Sequence, residues 1–424
     1  MPVAVSFSVP VPGRGFQPEA SRVGDGQGDR SGNGNRDPHG PGSFLLSIPS
    51  LRYTRSTMNR LQVIHAHRSR GHKVLAVLPI HYPKEILTAF DILAVELWGP
   101  PGPPRGPDAG RIQSSVCAIV RNALAFISAG GVDAVDGLLF PHTCDSIQGL
   151  ATVVRDFGSW SGPVFQFIHA RGEDRPSARR FVEAELKSLA AELATFTGRS
   201  LDGERLRDAI RIHRNIDRLR ATLLDQRSRL AMTDPELYRL LRQGEFLWPA
   251  DHLAELEAAA AGLAPAPVQQ GLPLLVSGIV PEPMSVLDAL AGAGAWIAAD
   301  DYAAVGRRVT RHHPTSLDDP FATLVDLYFA APPCPTRQSN QTARADRLEQ
   351  LLDASGALGA LLHTVKFCEP ELFDLPVLRR RLLERGVPVL QLETELEREL
   401  SGQAVTRIEA FVEMLGAIAA RGAR

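Results

Sequence analysis

Cysteine is scarce in this chain, with four in 424 residues. That is too few for a disulfide framework, so the thiols are expected to be free, either to bind metal or to sit as inert buried groups. Charge is balanced as well, at a formal net of -2, which leaves no electrostatic footprint for nucleic acid. No window approaches 18 uninterrupted apolar residues, so no helical membrane span is expected. The N-terminus carries neither the basic stretch nor the apolar core of a secretory signal, and a reducing, cytoplasmic setting is expected. Several catalytic signatures are missing too. There is no G-x-x-x-x-G-K-[ST] phosphate loop, GAGAW around Gly292 is no dinucleotide fingerprint, and neither G-x-S-x-G nor H-E-x-x-H occurs. Hydrolase readings therefore have no support, and a metal-free nucleotide-binding α/β protein, a further alternative, would need a phosphate loop that the sequence lacks.

What is present is an α/β pattern that runs twice. With 44% hydrophobic residues, the chain is long enough for two or three domains with sizeable cores. Residues 1–42, with GDGQGDRSGNGNRDPHGPG at their heart, read as a disordered tail, because so little apolar surface cannot offset chain entropy. Residues 56–175 then read as a first α/β domain. It has a helix ending near Gly71, a strand VLAVLPI, the turn HYPKE opening a helix, and a strand LAVELWG. The stiff loop GPPGPPRGPDAG follows and cannot join a sheet centrally. Residues 176–265 change to long charged amphipathic helices, whose basic runs read as solvated faces without chemistry. Residues 271–396 restart the pattern: LPLLVSGIV, a proline turn, a helix and AWIAADD repeat the order of 74–98. A loop-rich stretch holding HHP and PPCPT comes next, then a helix, a strand and a further helix. Residues 401–424 form a terminal helix. The expected fold is thus two doubly wound Rossmann-like domains of related topology with a helical segment between them.

Two cysteines fall at equivalent places in this pattern. In GLLFPHTCDS an apolar strand ends and Cys144 stands where a helix begins, capped by Thr143, Asp145 or Ser146. In ALLHTVKFCEPE a strand runs into Cys368, and a helix follows Pro370. Strand-to-helix junctions form the edge of an open α/β sheet where ligands bind, so the two thiols suggest one shared site. Cys117 lies in the first turn of the helix QSSVCAIVRNALAFISAGG. No C-x-x-C pair occurs, and spacing alone leaves metal binding and inert burial both open.

The blocks PIHYPKEILTAFDILAVELWG, VCAIVRNAL, DGLLFPHTCDS, LLVSGIVPEP with AWIAADD, LHTVKFCEPELFDLPVLRRRL and SGQAVTRIEAFVEML, in this order from about 72 to 416, resemble the benzoyl-CoA reductase and 2-hydroxyacyl-CoA dehydratase subunit family. The resemblance implies an oxygen-sensitive iron–sulfur protein that pairs with a related subunit. It also implies a separate ATP-hydrolysing iron–sulfur activator, and one-electron delivery to an acyl-CoA. The cluster thiolates of a [4Fe–4S] centre would fall on Cys117, Cys144 and Cys368, three ligands leaving one iron open. HYPKE is nearer to the reductase form of its motif than to the dehydratase form. The alternative is a non-catalytic relay subunit that binds the cluster without touching substrate.

Around these residues, His81, Tyr82 and Glu85 are candidates to contact a substrate carbonyl or an exchangeable cluster ligand, although an acidic Glu85 also suits a helix N-terminus. His142, Ser146 and Lys366 are candidates for substrate binding. Asp145 and Glu369 flank the ligands and equally suit a first helical turn. Cys334, in PPCPT, reads as a loop or structural thiol, with a fourth cluster ligand as the alternative. His312 and His313 read as ordinary loop residues.

Overall fold

The computed structural model describes residues 59–422 apart from 159, 313, 315, 338 and 339. The tail at 1–42 and His313 therefore lie outside the described residues. The first helix, α1 (Arg60–Arg68), starts at a capping box in which Asn59 and Gln62 satisfy each other's backbone N–H groups. It ends three residues before Gly71, which takes φ +80° in the turn that follows.

A four-stranded sheet comes next. Its strands are β1 (Val74–Val77), β2 (Leu93–Glu96), β3 (Gly137–Pro141) and β4 (Val164–Phe167). They are all parallel, in the order β2-β1-β3-β4. Helices α2 (Lys84–Ala89), α3 (Ala118–Ser128) and α4 (Asp145–Phe157) make the crossovers. After the connecting helices α5 (Pro176–Thr197), α6 (Gly203–Asp225), α7 (Asp234–Arg242) and α8 (Pro249–Ala261), the second sheet is built from β5 (Leu272–Gly278), β6 (Ala295–Tyr302), β7 (Gly359–Val365) and β8 (Val389–Thr394). Its order, β6-β5-β7-β8, is that of the first sheet, and its strands are again parallel. Helices α9 (Ser285–Gly292), α10 (Pro320–Ala330), α11 (Gln341–Ser355), α12 (Glu369–Glu384) and α13 (Gly402–Gly422) complete the chain.

Helix α10 interrupts the stretch read as loop. Asp319 accepts from the N–H groups of Phe321 and Ala322, and Pro320 stands at the first helical position, so the start signal was present in the sequence.

Strand periodicity explains the layering. Val74 and Ala76 of β1 face one core, whereas Leu75 and Val77 face another, as period-2 side chains must. In β5, Leu274 and Val276 join that first core and Leu275 a third. One core thus runs through both sheets. The second is covered by α2, α5, α6 and α10, and the third by α11 and α12. With both faces covered, β1, β3 and β7 are buried along their whole length. Gly278, at the end of β5, has no room for a Cβ, which would overlap the carbonyl oxygen of His363.

Candidate functional site

In each sheet the order of strands reverses between the first strand and the third, and open α/β sheets bind ligands beyond the strand ends at that point. Cys144 follows β3 and Cys368 follows β7, the third strand of each half. Each is the residue immediately before a helix, α4 and α12 respectively, and Cys117 stands in the same relation to α3. The cap position of α4 is Cys144 itself, not Thr143, Asp145 or Ser146, since helical backbone begins at Asp145 and Cys144 is extended, with no side-chain cap bond. Cys117 likewise sits one residue outside its helix rather than in the first turn.

Cys117 and Cys368 are buried and Cys144 is half-buried. Burial pushes the Cys117 thiol up to about 11, and the charge of Cys144 adds to the shift. It raises Cys368 well above the ordinary thiol range, with Cys117, Glu371 and Cys144 acting in the same direction. Cys144 is raised as well. The three thiols thus share one electrostatic neighbourhood. Opposing the shifts are backbone N–H groups of the helix starts: Val120 and Ile119 at Cys117, Ile147 and Ser146 at Cys144, and Glu371 at Cys368. Three helix N-termini, each the positive end of a macrodipole, therefore begin at these sulfurs.

Among the described residues no three His, Cys, Asp or Glu side chains converge on the position of a single metal ion. A cubane cluster asks for something different, since each thiolate takes a different iron and the sulfurs stand wider apart than ligands of one ion. Soft sulfur donors shielded from water suit iron–sulfur chemistry, and the donor set fits such a group. Cys334 is engaged elsewhere. It is 1% exposed, accepts from Arg307 Nη1 at 3.2 Å, and lies 3.0 Å from the Thr336 hydroxyl.

His81, Tyr82 and Glu85 line a cavity of about 180 Å³. The Tyr82 hydroxyl donates to Glu96 at 3.1 Å, and Glu96 also takes the Arg308 guanidinium at 2.5 and 2.7 Å, tying β2 to the segment after β6. Burial and the Glu96 charge hold Tyr82 well above its ordinary pKa, so it remains a donor. Burial, then the Arg337 charge, holds His81 well below its ordinary value, and burial raises Glu85.

His142, Ser146 and Lys366 do not line this cavity. His142 lies 3.8 Å from Asp145, and Lys366 lies 3.7 Å from Glu395. Glu395 also receives Arg121, one turn into α3, at 2.9 Å. Arg121 acts electrostatically on Cys117, and Asp145 on Cys144; the cysteines are not among the cavity's lining either. Asp145, Glu369 and His312 are exposed.

The connecting helices contribute what sequence reading missed. His213, Asp217 and Arg220 of α6 and His252 of α8 line the cavity, and all four are buried. The basic runs are thus not wholly solvated. For the three on α6 the available signal was their position on its apolar stripe, beside Ile216 and Leu223, and for His252 its place on the buried side of α8 with Leu256.

A family profile described as 2-hydroxyglutaryl-CoA dehydratase, D-component, matches residues 79–415. The chain is 24% identical over 355 residues to the beta subunit of lactoyl-CoA dehydratase of Anaerotignum propionicum, covering 81% of this chain and 92% of that one. It is 24% identical over 367 residues to the beta subunit of (R)-2-hydroxyglutaryl-CoA dehydratase of Acidaminococcus fermentans, covering 82% and 94%. With a benzoyl-CoA reductase subunit of Thauera aromatica it shares 27% over 345 residues, covering 76% and 86%. Dehydratase and reductase subunits match alike, over the same two-sheet body that carries the cysteines and the cavity, and the chain belongs to the 2-hydroxyglutaryl-CoA dehydratase D-component family.

Proposed function

We propose that the chain is the iron–sulfur subunit of an ATP-dependent, radical-type acyl-CoA reductase or dehydratase. The observation that supports this reading is that Cys117, Cys144 and Cys368 each stand at a helix start, with Cys368 under the electrostatic influence of the other two. These three residues would hold a [4Fe–4S] cluster, which when bound supplies low-potential single electrons and one iron without a protein thiolate. The chain's own groups account for the rest. The N–H groups at the three helix starts favour anionic sulfur. Arg121 and Lys366, bridged by Glu395, set the charge around the site. Burial excludes water from a strongly reducing centre.

Having no phosphate loop, the chain relies on a separate ATP-hydrolysing iron–sulfur activator, and the complex in the cytoplasm is completed by a second, related subunit. His81, Tyr82 and Glu85 are the proposed catalytic contacts, and His142, Ser146 and Lys366 the proposed contacts to an acyl-CoA.

One observation favours a second reading. The cavity that holds His81, Tyr82 and Glu85 is lined by none of the three cysteines, as suits a relay subunit whose cluster does not meet the substrate. The two readings part in electron paramagnetic resonance of the reduced, cluster-loaded complex. A signal from this chain's cluster that changes on adding acyl-CoA supports the catalytic reading, and a signal indifferent to it supports the relay. A chain with no cluster signal after anaerobic production with its partner contradicts both.

A further inference from the structure

The cavity beside His81 carries more positive charge than its own carboxylates neutralise. Arg308 is matched by Glu96, and Arg307 by Glu371 at 2.8 Å. Arg214 and Lys84 share Asp217, at 2.8 and 3.4 Å, and also face Glu85. That leaves Arg220 and Arg337, which are 7% and 2% exposed and line the same cavity. Among the described residues neither forms an ion pair with a carboxylate. Arg220 donates to the carbonyl of Leu241, and Arg337 to those of Tyr328, Ala331 and Pro332. These carbonyls lie at the ends of α7 and α10 and offer only partial negative charge. Among the described residues, the Nε atom of each arginine and Nε2 of His81 are buried without a hydrogen-bond partner. Buried, unpaired cations are costly, and an anion brought to them relieves that cost.

The surroundings define the rest of such a ligand. Arg337 lies over the Tyr328 ring at 4.9 Å, the Tyr328 hydroxyl lies 3.2 Å from His169, and His169 packs edge-on against His81. Phe167, Leu324 and Leu327 line the same cavity. The volume, about 180 Å³, exceeds the roughly 150 Å³ of a cavity that admits benzene.

We propose that this cavity binds a small organic carboxylate with a single-ring-sized apolar body, its anionic end seated at Arg337 and His81. None of the three cysteines lines the site, which shares His81 with the proposed catalytic contacts, and its occupancy is measured independently of the cluster.

Phenylacetate is the probe, titrated calorimetrically into the full chain purified without oxygen, beside phenylacetamide as the uncharged isostere and inorganic phosphate as an anion with no apolar body. Phenylacetate binds at least tenfold more tightly than either, and Arg337→Gln removes that advantage. Because Arg337 also caps α10, Ala331→Leu is the second variant. It fills the cavity from its wall, leaves the guanidinium in place, and abolishes binding. Phenylacetamide or phosphate binding as tightly as phenylacetate, or unchanged binding by Ala331→Leu, overturns the proposal. Iron content measured on the same samples keeps the two claims apart: iron-free protein that still binds phenylacetate contradicts the cluster and upholds the carboxylate site.

Discussion

Arg307 and Glu371 form an ion pair of 2.8 Å in which neither side chain is more than 3% exposed. The pair joins the wall of the carboxylate-sized cavity to the first turn of α12, whose cap is Cys368. Arg344 reaches the other oxygen of Glu371 at 2.6 Å and Asp374 at 2.9 Å. Removing one partner of a buried pair leaves an uncompensated charge, so Arg307→Met is expected to cost on the order of 3–5 kcal/mol in urea unfolding. The double variant Arg307→Met/Glu371→Gln is expected to cost less than the sum of the two single changes. Additive losses, or a loss below about 1 kcal/mol for Arg307→Met, would show that the pair is not coupled.

Asn122 helps to fix the proline-rich loop after β2. Asn122 Nδ2 donates to the carbonyls of Pro100 and Gly102, both at 2.8 Å. Gly99 takes φ +84°, and a Cβ there would stand 2.8 Å from that of Asn122. Asn122→Ala is expected to cost about 1–3 kcal/mol and to open the loop to protease. Gly99→Ala strains the left-handed backbone and crowds the same contact, so it too should be destabilising. Protease resistance unchanged in both variants would contradict this account.

Acid should weaken the fold through its buried histidines. His363 is held down to about 4 by burial, between the hydroxyls of Tyr302 at 2.9 Å and Thr394 at 2.8 Å, and burial also lowers His67 to about 4. Between the unfolded value near 6.5 and the folded value, the unfolded chain binds a proton that the native chain refuses. Stability is therefore full above pH 6.5 and falls as pH drops towards 4, by on the order of 3 kcal/mol for His363 alone. Urea midpoints at pH 7.5, 6 and 5 should decline in the wild type and decline less in His363→Gln. Midpoints that do not change with pH would refute the assignment.

Much of this was legible in the chain itself. The fully apolar strands, the proline turns and the repeated order of elements foretold two parallel sheets of one topology, because buried strands need continuous apolar runs. Cys144 and Cys368 stood out for the same reason, each marking the end of such a run. What was hidden depends on tertiary packing. Arg220 sits among helical arginines that local pattern cannot distinguish from solvated ones, and only the packing of α6 against α2 and α8 buries it. Asp319 and Pro320 announce helix α10, but the prolines on either side of it suggest loop. Nor does spacing say that Cys334 turns towards Arg307, and the position of Arg307 is set by the second sheet.

The most direct measurement is iron and acid-labile sulfide content, determined without oxygen on the full chain and on Cys117→Ser, Cys144→Ser, Cys368→Ser and Cys334→Ser. The account predicts about four irons and four sulfides per wild-type chain, as one [4Fe–4S] cluster requires. It predicts a sharp loss in each of the first three variants and retention in Cys334→Ser, whose thiol is bound to Arg307. An iron-free wild type after production and reconstitution alongside its partner, or a cluster lost only in Cys334→Ser, would contradict it.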